Sequence, residues 1–382
     1  MASLAALALV SAACGPEAEQ DDTPPAAQDA LAAEVPAIVV TTGIWADVVS
    51  NVACGGLASV ETLIPVGGDP HSYEPSLQDR ARMEAAALVV ANGLMLEEAL
   101  VDTLEAVAES GTPVFEFAEG MDIIPYSFES AHGHEAEDDD HAEDHDHAED
   151  DDHTEDDHDD EDDHDADHAE DDHDADHAED EDDHGDDHAD DDHDEDGDDH
   201  GHGHGGGGDP HVWFDPHRVA EALPSLVRTL TTGVGLDPAA VEACLGRYLA
   251  ELETVDAEIA GKVDQLPAEN RKLVTNHEAL GYFADRYGFE VIGTVIPTPA
   301  SMAQASPAGL EELAEIIEHE GITAVFAETL HSVDDVEALA ARVGDVDVVT
   351  LYTGSLGPPD SGAETYVGFL RTNADLIVDA LG

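Results

Sequence analysis

The sequence predicts an α/β protein: two small lobes of parallel strands and flanking helices, joined by a long rigid helix. A disordered His- and Asp-rich loop is inserted in the first lobe. Three observations carry this reading. Short β-branched runs alternate with helix-period segments of ten or so residues, the pattern of βαβ units. A Pro-led run over 238–266 extends for about 29 residues, or about 43 Å, longer than a helix inside one small domain. Between 132 and 204 lie 73 residues that hold 17 of the 23 histidines and 42 of the 92 acidic residues.

The elements follow in order. Residues 37–41 (AIVVT) predict a first strand, 44–52 a helix, 60–64 a second strand and 65–72 a turn-rich connection. Helices over 77–86 and 97–108 flank a strand at 88–91, and 113–117 is a further strand. After the insertion, 216–230 is helical; Asp237 then caps, and Pro238 opens, the long helix. Strands at 272–275, 290–295, 324–327 and 347–351 alternate with helices at 278–287, 307–320, 333–343 and 365–381. The implied organisation is a signal segment (1–14), a flexible tether (15–34), an N-terminal lobe (35–236), a linking helix (237–266) and a C-terminal lobe (267–382).

The insertion has no apolar surface to offset the entropy of ordering, so no secondary structure is expected there. Imidazole and carboxylate are ligands that zinc accepts readily. Its histidines, among them His132, His134, His141, His145, His147, His200, His202 and His204, therefore make weak accessory metal ligands. The other reading is a solvated acidic spacer grown by repeat expansion: 163–171 and 172–180 are the same nonamer, DHDADHAED.

The net charge is −81, and without the insertion's acids 50 acidic residues still face 11 basic ones. Such a surface repels nucleic acid and anionic headgroups and attracts cations. It also suits high salt, where screening shortens repulsion to a few ångströms.

The apolar run 4–10 followed by Ser11-Ala12-Ala13-Cys14-Gly15 resembles a bacterial lipoprotein signal, in which Cys14 becomes the acylated first mature residue. The run is too short to span a bilayer. That resemblance implies a place outside the cytoplasm, on the outer face of the cell membrane or in the periplasm. It leaves Cys54 and Cys244 as a pair in an oxidising compartment, where a disulfide is expected.

Six histidines lie outside the insertion. His71 and His211 share an Asp-Pro-His sequence, and the proline fixes the backbone before each imidazole. His277 sits at a strand-to-helix junction. In parallel sheets, ligands gather at the carboxyl ends of strands, so these three loops can meet between the lobes. His217 and His319 read as surface residues. His331, three residues after Glu328 near a strand end, is a weaker candidate.

At DPHSYEPS (69–76), NGLMLE (92–97), DPHVWFDP (209–216), HEALGYFADRYG (277–288) and TYVGFLRTNADLI (365–377) the chain resembles a known family. These are the cluster A-I metal-binding lipoproteins that serve ABC importers of zinc and manganese, some described as adhesins. The resemblance covers about 36–131 and 205–382. It implies two lobes on one rigid helix and a metal held between them by His71, His211 and His277. It also implies Zn²⁺ capture and delivery to a permease and its ATPase, by a monomer with no catalytic residues. Zinc-uptake members carry a His- and acid-rich loop where this insertion sits. Histidine rather than glutamate at 277 favours zinc over Mn²⁺. Many relatives place a fourth ligand, an aspartate, where this chain has Gly354, which leaves water, or a carboxylate from elsewhere in the chain, as the fourth ligand. The other readings are a manganese-specific binder of the same type, a zinc-storage protein, and a zinc hydrolase built on three imidazoles and water. Against the hydrolase, the sequence has no His-Glu-x-x-His helix.

Overall fold

β1 (Ala37–Val40), β2 (Ser59–Thr62), β3 (Leu88–Ala91) and β4 (Val114–Glu116) form a parallel sheet in the order β2-β1-β3-β4. The structure is a computed structural model that describes residues 35–125, 208–296 and 305–382. Cys14 and the insertion's histidines, from His132 to His204, lie outside the described residues. Side chains alternate across the sheet as its period of two requires. Ile38, Val40, Leu88 and Val90 face one core, while Val39, Val89 and Ala91 face another. The helices α1 (Gly43–Val52), α2 (Leu77–Glu84) and α3 (Val101–Glu109) complete the first lobe. Thr42 caps α1, and Ser76 with Asp79 forms a reciprocal capping box at α2.

Two helices lead out of this lobe. α4 (Pro216–Arg228) is capped by Asp215, and its last turn widens into a π-helical segment, Thr229–Val234, ended by Gly235 at φ 85°. α5 (Pro238–Val263) is the long helix; 26 residues make it about 39 Å long. Its buried stripe, Val241, Leu245, Tyr248, Leu252, Val255, Ile259 and Val263, repeats at helical spacing. Cys244 on this helix is disulfide-bonded to Cys54, just beyond α1, with Cα atoms 5.8 Å apart and a sequence separation of 190. The expected bridge is present.

The second lobe repeats the first. β5 (Lys272–Thr275), β6 (Glu290–Thr294), β7 (Ala324–Glu328) and β8 (Asp347–Leu351) are parallel in the order β6-β5-β7-β8. They alternate with α6 (Gly281–Tyr287), α7 (Pro307–Glu320), α8 (Asp334–Val343) and α9 (Tyr366–Leu381). Leu273, Phe326 and Leu351 join α5 and the first sheet in one shared core, while Val274, Val325 and Ala327 line a separate outer one. Each fully buried aliphatic side chain contributes about 1.5–3 kcal/mol relative to exposure, so this shared core fixes both sheets to the long helix. Among the described residues no helix is long and apolar enough to cross a membrane.

Three predicted helices differ most in their bounds. The one expected from Glu278 begins at Gly281, because the intervening residues turn tightly and Ala279 N donates to His277 O. The one expected from Glu97 begins with a 3₁₀ turn, Glu98–Leu100, because the Glu97 carboxylate is drawn inward. The long helix stops at Val263 rather than Leu266.

Candidate metal centre

Both strand orders reverse at a central strand, and the gap beside that reversal is where an α/β sheet opens to a ligand. In the second lobe the reversal lies between β5 and β7. His277 follows β5 and Glu328 ends β7, so adjacent strands present the two side chains together. Glu328 Oε1 takes the His277 backbone N–H at 3.2 Å and also contacts the ring Nδ1; Thr353 Oγ1 donates to Oε2. All three residues are buried. Burial alone would raise the Glu328 pKa and lower that of His277. Their mutual attraction overrides it, holding the carboxyl well below its usual range and the imidazole above its own.

The repeated Asp-Pro-His has a local cause. In each copy the aspartate Oδ1 accepts the N–H of the histidine two residues on, at 3.0 Å for Asp69–His71 and 2.9 Å for Asp209–His211. This Asx turn, with the intervening proline, sets the direction of the imidazole. In the second copy Asp209 Oδ1 also lies 2.7 Å from His211 Nδ1. Burial, then the neighbouring His211 and His277, push His71 down to about 3, so it stays neutral across the physiological range.

The three imidazoles converge. His71 Nε2 lies 3.3 Å from His211 Nε2, which lies 3.2 Å from His277 Nε2, and one ligand atom from each ring lies within 4.8 Å of the others. Nitrogens held at 2.0–2.1 Å by a tetrahedral zinc ion would be about 3.3 Å apart. Each ring of His211 and His277 sets its Nδ1 against a carboxylate, and where that nitrogen carries the proton the two Nε2 atoms would face each other as lone pairs. Such an arrangement is stable only with a proton or a cation between them.

Sequence reasoning misses several supporting residues. Its spacing marks Glu328 only as a neighbour of His331; the contact with His277 spans 51 residues and follows from strand adjacency. Asn92, in the NGLMLE block, donates through Nδ2 to Pro210 O at 3.0 Å and accepts from Trp45 Nε1, so it holds the His211 loop. Gly93, Leu94 and Met95 that follow are all left-handed, with φ of 84°, 54° and 60°. Two of these lack glycine's freedom, a strain that the buried Glu97 carboxylate offsets by taking Asn92 N–H and Thr41 Oγ1–H. His217 and His319 are exposed, as expected. At Gly354 a Cβ would lie 3.0 Å from Leu330 Cδ1 and 3.2 Å from Pro70 Cδ, so those side chains crowd the place of a fourth side-chain ligand.

Residues 38–380 match the family model described as zinc-uptake complex component A, periplasmic. The zinc-binding protein TroA of Treponema pallidum is 36% identical over 181 residues, 45% of this chain and 57% of that relative. The manganese-binding lipoprotein MntA of Halalkalibacterium halodurans is 25% identical over 379 residues, 98% of this chain and 95% of that one. Among solved structures, the periplasmic zinc-binding protein TroA of T. pallidum superposes with a TM-score of 0.66 at 25% identity, covering 91% of this chain and 99% of its own. A manganese-bound periplasmic metal-binding protein from candidatus Liberibacter asiaticus shares the fold, with a TM-score of 0.63 at 20% identity over 91% and 100% of the two chains. The chain belongs to this zinc-uptake component A family of ABC-transporter substrate-binding proteins, which are not enzymes.

Proposed function

We propose that this family member captures one Zn²⁺ ion outside the cytoplasmic membrane at His71, His211 and His277 and passes it to an ABC permease and its ATPase. The observation that carries the reading is the 3.2 Å approach of His211 Nε2 to His277 Nε2, each ring backed by a carboxylate at its Nδ1. Three imidazoles favour zinc over manganese, which prefers carboxylate oxygen, and water completes the coordination because Gly354 offers no side chain. The names of the relatives support a transported divalent metal without choosing it. The lobes, 35–236 and 267–382, act as the two walls of the site, and a lipid on Cys14 tethers them through 15–34. The histidines of 132–204 are weaker accessory ligands.

Asp209 and Glu328, the two carboxylates against the triad, are both committed to holding imidazoles, which disfavours a hydrolytic role. Competition titration of zinc and manganese against a calibrated chelator tests the reading, using a variant lacking 132–204. One tight zinc site should survive the deletion, and His71→Ala, His211→Ala and His277→Ala should each weaken it more than about a hundredfold, exceeding the usual loss for a supporting residue. Loss of the tight site on deletion would instead make the insertion the functional part, as in a storage protein. A tighter manganese site would reverse the metal.

A further inference from the structure

His331 lies just beyond the triad, and the triad gives it no role. Its side chain is 13% exposed, yet both ring nitrogens are buried without a hydrogen-bond partner. A buried polar group left unsatisfied is costly, so a ligand for it is worth seeking. Its ring centroid is 5.5 Å from that of His277, and its Nδ1 is 3.5 Å from Glu328 Oε2. That spacing is long for a hydrogen bond but close to the edge of about 3.4 Å between nitrogen and oxygen on one tetrahedral zinc ion. One ligand atom each from His277, Glu328 and His331 lies within 4.8 Å of the others.

We propose that Glu328 and His331, with the Nδ1 edge of His277, form a second position for a divalent cation, used in transit and never filled together with the triad. The exclusion follows from lone pairs. A neutral imidazole has one, so an ion on His277 Nε2 keeps the proton on Nδ1, and an ion on Nδ1 requires that proton to move to Nε2. The Nδ1 of His277 and Oε1 of Glu328 touch when no ion lies between them; they must part to admit one. The carboxylate then changes from holding the ring to holding the ion. The turn that carries His331 also carries Leu330, whose Cδ1 would lie 3.0 Å from a Cβ at Gly354, so this turn packs against the segment where relatives place a fourth ligand. A cavity of about 320 Å³, lined by Val66, Gly67, Tyr352 and by Thr329 and Leu330 of the same turn, lies next to the segment that carries His331.

The inference rests on the triad reading only in the shared His277, and site-resolved diffraction separates the two. Crystals of the full chain carrying His71→Ala and His211→Ala, soaked in zinc chloride and measured at the zinc edge, should show an anomalous peak about 2.0–2.2 Å from His331 Nδ1 and Glu328 Oε2. Adding His331→Ala should cut that peak at least about tenfold. No peak in the double variant, or a peak indifferent to His331→Ala, overturns the second position. A wild-type crystal without density at the triad overturns the proposed function instead. In solution, the slow phase of zinc loss from the loaded full chain to a chelator should fall by about threefold or more in His331→Ala. An unchanged slow phase overturns the transit role.

Discussion

Gly281 packs its bare Cα against Asp209 Oδ2, so that a Cβ added there would lie 2.6 Å from the oxygen. The start of α6 and the carboxylate behind His211 therefore share one space. Gly281→Ala should displace Asp209 and release the His211 ring, weakening the tightest zinc site by about 10–100-fold. Gly246→Ala on α5, where a Cβ meets nothing within 4 Å, is the control and should raise the melting temperature. Equal zinc affinities in the two variants would show that Asp209 does not set the geometry of the triad.

The pH dependence of metal binding follows from His277. Its raised pKa means that in the metal-free protein a proton stays on the ring above the ordinary imidazole range. Zinc must displace that proton from Nε2. As pH falls through this raised value the apparent affinity should therefore drop, by up to about tenfold per unit. His71, pushed down to about 3, contributes no competing proton there. Calorimetry in buffers of different ionisation enthalpy should detect proton release on zinc binding that grows toward one per zinc as pH falls through the raised value. Glu328→Gln removes the attraction and should move the onset of competition to lower pH; an unmoved onset would assign the proton to another group.

Gly354→Asp offers a carboxylate but brings its Cβ against Leu330 and Pro70. Alone it should cost about 1–3 kcal/mol of stability from overpacking. Combined with Leu330→Ala, it should raise affinity for manganese more than for zinc, because a carboxylate oxygen is the harder ligand. An unchanged preference in that double variant would mean that position 354 does not face the ion.

The bond between Cys54 and Cys244 closes a long loop around the first lobe and ties α5 to the turn after α1. Cys54→Ala with Cys244→Ala should lower unfolding free energy by about 2–5 kcal/mol while leaving zinc affinity at neutral pH intact. Denaturant unfolding of the two proteins compares them directly. A change in affinity would show that the bridge also shapes the site.

Period and propensity make most elements legible, because the central strands are buried on both faces and read as short apolar, largely β-branched runs. Leu88–Ala91 and Lys272–Thr275 have the bounds that their sequence predicts. His71 and His211 are legible because Asp-Pro-His builds its own turn, and His277 because it closes a strand. What sequence does not carry is pairing at a distance. Glu328 meets His277 through the order of strands, Asn92 meets Pro210 across 118 residues, and Glu97 leaves its helix to satisfy the backbone of Asn92. Each is a polar contact made by topology, with no period to announce it.

The lobes are stitched across their seam: Trp213 Nε1 donates to Thr353 O at 2.9 Å, and Tyr282 Oη to Asp209 O at 2.9 Å. His211 and His277 sit behind these stitches, while His71 rides on the outer loop and is only partly buried. Loading and unloading should therefore be felt as ordering and loosening of that loop, not as a change of angle between halves. Amide hydrogen exchange would register it as slowed exchange at 67–72 with metal bound, against a nearly constant background in β5 and β7.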